Sequence, residues 1–138
     1  MLHRPLCSLV VLSLLTAMAT ACSVTEQRLV GTWRVDVDAT LALEPETLIL
    51  SAVEQRTRKT LLRKFLGPAT YEFTTDGRTV VSVADRRTEG TYEIRRQEDD
   101  FMVLGLTDGD RVRDVRVDFT GDGLIIEDNR RRIALTRR

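Results

Sequence analysis

From Thr70 to the C-terminus the chain consists of short segments that alternate apolar and polar residues, each closed by a turn signal. No other feature constrains the fold as much. Successive side chains of a strand leave on opposite faces, so a period of two marks a strand with one buried side. Thr70–Thr74 places Tyr71 and Phe73 together, and Asp76-Gly77 follows as a hairpin turn into Thr79–Ala84. Glu89-Gly90 reads as the next turn, into Thr91–Arg95 with Tyr92 and Ile94 inward. A break at Glu98–Asp100 precedes Phe101–Leu106, and Asp108-Gly109-Asp110 turns the chain into Val112–Phe119. Asp122-Gly123 leads to Leu124–Glu127, and Arg132–Arg137 brings Ile133 and Leu135 to the inner face.

Upstream, Leu29, Gly31, Trp33, Val35 and Val37 alternate with Arg34, Asp36 and Asp38, which supplies a first strand. Segment 44–66 breaks the period. Pro45 suits a first helical turn, Glu44 and Glu46 suit the positive end of a helix dipole, and Gly67-Pro68 is a stop signal. Leu48, Ile49, Ala52 and Val53 form one apolar cluster and Leu61, Leu62, Phe65 and Leu66 another. The polar stretch Gln55–Thr60 between them leaves one helix or two. The expected fold is all-β: an antiparallel eight-stranded meander barrel with a helical insertion between strands 1 and 2. Closure into a barrel removes the exposed edges of such a sheet. Trp33, Val35, Tyr71, Phe73, Tyr92, Leu104 and Val117 are the candidate ligand-lining residues, and 44–66 is the natural lid, hinged at Gln55–Thr60.

The opening Leu29-Val30-Gly31-Thr32-Trp33 resembles the first strand of lipocalin-like and fatty-acid-binding (calycin) barrels, whose hallmark is Gly-x-Trp. Tyr71-Glu-Phe-Thr-Thr-Asp-Gly77 and Gly90-Thr-Tyr-Glu-Ile94 are similar to later hairpins of bacterial lipocalin-like domains. In the closing Ile133-Ala-Leu-Thr-Arg137, the resemblance implies a basic residue that caps the first-strand tryptophan. It spans residues 28–138. It departs from the lipocalin pattern in its helix after strand 1 and in lacking disulfides. What it implies is binding of a small hydrophobic molecule without catalysis. The alternative is a structural or protein-interaction lipoprotein whose barrel is filled.

The N-terminus gives an address. Arg4 precedes an apolar stretch, Leu6–Leu15, and then small residues lead to Cys22. A positive charge, a short apolar core and small residues make a removable signal peptide. A permanent helical anchor needs ~20 predominantly apolar residues, and here Ser8, Ser13 and Thr16 interrupt the run. Ala19-Thr20-Ala21 satisfies the small-x-small rule of ordinary secretion. With Cys22 it also resembles the bacterial lipobox, although leucine is usual where Ala19 stands. Of the two cysteines, Cys7 leaves with the signal peptide and Cys22 remains alone. An unpaired thiol in an oxidising compartment needs an explanation, and thioether lipidation supplies one. Residues 1–21 are therefore expected as a signal peptide of lipoprotein type, 22–28 as a short tether reaching about 20 Å at most, and 29–138 as the barrel domain. The expected location is the bacterial envelope, anchored through Cys22, at the outer membrane where the cell has one. The alternative is a soluble secreted or periplasmic protein.

Chemistry finds few candidates. The only histidine, His3, lies in the segment to be removed, so no serine has a histidine base. Asp108, Asp110 and Asp114 lack the register of a calcium loop and serve a turn. Twenty-one basic and 21 acidic residues balance, which argues against a nucleic-acid partner. No catalysis and no cofactor are expected. The basic cluster Arg56, Arg58, Lys59, Arg63 and Lys64 reads either as a solvated helix face or as a surface for anionic headgroups.

Overall fold

A computed structural model of the chain describes residues 24–45 and 50–138. Eight antiparallel strands close into a barrel in simple sequence order, each paired with its neighbours and β8 with β1. They are β1 (Gly31–Val35), β2 (Thr70–Phe73), β3 (Arg78–Val83), β4 (Arg86–Gln97), β5 (Phe101–Asp108), β6 (Arg111–Thr120), β7 (Gly123–Asp128) and β8 (Arg131–Arg137). Helix α1 (Val24–Leu29) precedes β1. Helices α2 (Val37–Ala42) and α3 (Ala52–Phe65) lie between β1 and β2 in the chain.

The register carries the alternation around the barrel. Trp33 stands opposite Tyr71 on one side and Arg137 on the other; Leu104 stands opposite Ile94 and Val115; Val117 opposite Met102 and Ile126. Apart from Arg137, which is exposed and covers the Trp33 ring at the barrel end, these residues face the interior. Trp33, Val35, Phe73, Tyr92, Met102, Leu104, Val117, Leu124 and Leu135 are buried there. Each such side chain contributes about 1.5–3 kcal/mol relative to exposure. At Arg95 the β4–β5 register shifts by one residue. This bulge turns Arg95 outward onto Asp114, at 3.0 Å.

Several local expectations give way to competing physics. Residues 24–28, expected in an extended tether, are helical, with Glu26 in the first turn and Arg28 in the last to suit the dipole. Leu29, at the end of that helix, is fully buried in the core. Strand β1 stops at Val35 because Asp36 caps α2, its side chain accepting from the Ala39 amide at 2.9 Å. Val37 and Asp38 are therefore helical, and Pro45 lies outside any helix. Helix α3 starts at Ala52 behind a Ser51–Glu54 capping box and runs unbroken through Gln55–Thr60. Glu46, Leu48 and Ile49 lie outside the described residues, as do the signal peptide and Cys22. Finally, Glu89-Gly90 is not a turn but the middle of β4. The turn is at Ala84-Asp85, where Ala84 adopts φ 53°.

Candidate functional site

The two ends of the barrel are built differently. At one end α1 lies against the interior. The Trp33 indole Nε1 donates to the Leu29 carbonyl at 2.9 Å. The Arg137 guanidinium lies 4.5 Å above the Trp33 ring, and its two terminal nitrogens donate to the carbonyls of Val30 (3.2 Å) and Arg28 (3.1 Å). Gly31 makes room for this arrangement. Its φ is +141°, and a Cβ there would stand 2.8 Å from Arg137 Nη1. Arg28 stacks 4.4 Å over Phe119 and donates to the Asp99 carbonyl at 3.4 Å. Above this layer, Phe73 and Tyr92 meet edge to face at 5.6 Å, and the Tyr92 hydroxyl donates to the Thr74 carbonyl at 2.6 Å. This end is plugged.

The other end, at the turns Gly109-Asp110 and Asn129-Arg130, opens into a cavity of about 380 Å³. Phe73, Leu104, Val115 and Ile126 form its apolar walls, and Tyr71, Asp108, Arg113, Asp128 and Arg131 line it towards the turns. Gly90 contributes an absence of side chain. A Cβ there would collide with the Thr107 carbonyl oxygen, so glycine both permits the close β4–β5 approach and leaves the space open. At the mouth, Arg113 Nε and Asp128 Oδ2 are 2.8 Å apart. Both side chains are well exposed, which limits the pair to about 0–1 kcal/mol. The Tyr71 hydroxyl has no hydrogen-bond partner among the described residues. Burial raises its pKa above the usual phenol value and the Asp128 charge adds to the rise, while Arg113 opposes it. The phenol therefore stays protonated at neutral pH and offers a donor to the cavity.

Of the ligand-lining candidates, Tyr71, Phe73 and Leu104 come together in this cavity. Trp33, Val35, Tyr92 and Val117 are buried but do not line it, Trp33 and Tyr92 belonging to the plugged end. Among the described residues none of 44–66 lines the cavity, so the described part of the expected lid contributes no wall to it. Arg113 and Asp128 were missed. Both fall on the inner face by simple alternation, two residues before Val115 and two after Ile126, and carrying the period past the last apolar residue finds them.

No group of side chains among the described residues is arranged to hold a metal ion, and no helix among them is long and apolar enough to cross a membrane. The fold and its contents define a class: an up-and-down antiparallel barrel, plugged at one end and carrying a small amphipathic cavity at the other. Comparison with known proteins returned no match to a family model, a curated protein or a solved structure.

Proposed function

We propose that the protein is a lipid-anchored envelope lipoprotein whose lipocalin-like barrel binds one small hydrophobic molecule without catalysing a reaction. The observation that carries the binding reading is the cavity: apolar walls below, and a donor hydroxyl with an ion pair at the mouth. Binding sites are concave, mostly apolar and furnished with a few convergent polar groups, and about 380 Å³ is at the small end of their ~300–1,000 Å³ range. The ligand of choice is an amphiphile with a compact apolar body and a polar end that accepts from Tyr71. The anchoring reading is carried by the sequence around Cys22. Gly-x-Trp with Arg137 over the indole supports the lipocalin-like reading.

Two measurements test the proposal separately. For binding, native mass spectrometry after exposure to an envelope lipid extract should show a small non-covalent adduct. Val81→Phe, which fills the cavity from a half-buried position on its wall, should abolish the adduct while the protein stays folded. A wild-type protein recovered every time without an adduct favours the filled, structural barrel. For anchoring, the mass of the processed N-terminus should include a diacylglyceryl group on Cys22, and Cys22→Ser should release the folded domain from the membrane. A free thiol at Cys22 refutes lipidation.

A further inference from the structure

Helix α3 exposes Val53 (73%), Leu61 (49%) and Phe65 (59%), three of the four large hydrophobic side chains that stand exposed among the described residues. At about 100° per residue these three fall within an arc of about 120°. Lys64 and Glu54 lie inside that arc, and Arg56 and Arg63 flank it on one side. Outside that arc, Arg58 beside Phe65 and then Leu62 and Lys59 further round are half-buried. There Arg58 pairs with Glu44, and Lys59 Nζ meets Asp38 at 2.6 Å. Arg63 reaches Asp38 at 3.4 Å, whereas Arg56 and Lys64 have no carboxylate within ion-pair distance among the described residues. Lys64 Nζ instead lies 5.8 Å from the Phe65 ring. The helix carries five cations and one carboxylate, Glu54, which the capping box engages. The whole chain has a formal net charge of zero.

Single apolar residues on a surface mean little, but a contiguous patch rimmed by charge marks an interaction site. We infer that the outer face of α3 docks on an anionic lipid surface. A helix whose apolar side chains are interleaved with cations lies in the plane of a membrane interface, the rings and aliphatic chains below and the cations among the headgroups. Charge complementarity selects this occupant. Two copies meeting through α3 would set cations against cations, and a nucleic acid has no use for Val53, Leu61 and Phe65. The choice of lipid over an acidic protein rests in part on the proposed lipid anchor at Cys22, which would hold the domain beside a membrane.

The test uses the full-length chain carrying Phe65→Trp, an exposed position where the larger ring is tolerated. It is mixed with vesicles of phosphatidylcholine alone or with phosphatidylglycerol, with acyl chains brominated near the headgroup. Trp33 is buried and its signal is subtracted using the wild-type protein. The expected result is a blue shift and quenching of the introduced indole in phosphatidylglycerol vesicles. Both should be lost in neutral vesicles, in 1 M salt, where screening falls to ~3 Å, and when Arg56→Gln and Lys64→Gln are added. Absence of quenching in phosphatidylglycerol vesicles overturns the inference, as does equal quenching in neutral ones or quenching indifferent to the two glutamine substitutions. A shift that grows with protein concentration without lipid assigns the face to a second copy and also overturns it. Co-sedimentation with neutral vesicles reports the N-terminal anchor independently, so failure of one reading is distinguishable from failure of the other.

Discussion

Replacing Trp33 by leucine should cost the fold far more than it costs any ligand. The ring is 2% exposed. Loss of the indole deletes the Nε1 donor to Leu29 and leaves that carbonyl unpaired beside a fully buried side chain, a penalty of about 1–3 kcal/mol. The smaller side chain also leaves a void, and truncating a buried tryptophan to alanine costs about 3–5 kcal/mol in all. Leucine refills part of the space, so a total loss of about 2–4 kcal/mol is expected. Arg137→Met keeps the aliphatic stem but removes the charge over the ring and the donors to Arg28 and Val30. These contacts are exposed, so each hydrogen bond is worth about 0.5–1 kcal/mol and the cation–ring contact about 0.5–1 kcal/mol. The double variant should then be less destabilised than the sum of the singles, by about 0.5–1 kcal/mol. Urea unfolding followed by far-ultraviolet circular dichroism gives all four corners of the cycle, since the only tryptophan is the residue removed. A Trp33→Leu protein within about 1 kcal/mol of wild type, combined with lost ligand binding, would refute the plug and make Trp33 a ligand contact.

Gly31→Ala should destabilise by more than about 1 kcal/mol in thermal melts, because alanine at φ +141° is strained and its Cβ meets Arg137. Met102→Ala, at a fully buried position, should cost about 2–5 kcal/mol in the same assay. Ser51→Ala should speed hydrogen exchange throughout α3, by the roughly 1 kcal/mol that an N-cap contributes, and leave barrel exchange unchanged. The Ser51 hydroxyl and then its backbone amide hold the Glu54 pKa below its ordinary value of 4.5. The carboxylate form is therefore stabilised in the fold, and α3 should loosen as pH falls below about 4.5. Tyr71 behaves in the opposite sense. Its folded pKa lies above the ordinary 10.0, so the unfolded chain releases the phenolic proton first and stability declines as pH rises through 10. Tyr71→Phe should flatten that alkaline slope in denaturant midpoints measured at successive pH values.

The strands were legible because a filled barrel interior demands apolar side chains at every second position, and Tyr71, Phe73, Val115, Val117, Ile133 and Leu135 supply them. Turn chemistry was legible only where glycine carries the positive φ, as at Gly77 and Gly109. Ala84, Asn129 and Arg130 adopt positive φ without glycine, so the turn at Ala84-Asp85 left no mark and Gly90 attracted it. Gly90 answers to a different demand, the close passage of Thr107. The cavity was half legible for a related reason. Apolar alternation identifies interior positions only where the interior is dry. Towards the mouth the inward residues meet water, and there Arg113 and Asp128 keep the period while losing the hydrophobicity.

The end of β1 shows a local rule overridden by a distant partner. Asp36 and Asp38 fit the outward face of a strand as well as the first turn of a helix, and nothing nearby decides between them. Thr40 decides. As α2 begins, the Asp36 amide donates to the Ala134 carbonyl at 2.9 Å, and the Thr40 hydroxyl donates to the Asp36 carbonyl at 2.6 Å while accepting from the Ala134 amide at 3.0 Å. One buried hydroxyl thus satisfies the β8 backbone where β1 would otherwise have to continue. Thr40→Val, nearly the same shape, keeps the packing but orphans the Ala134 amide. It should cost about 1–3 kcal/mol, with faster amide exchange at Ala134 and unchanged exchange at the β1–β2 pairs. Protection at Ala134 equal to wild type would show that the helix cap alone, and not the borrowed hydroxyl, ends the strand.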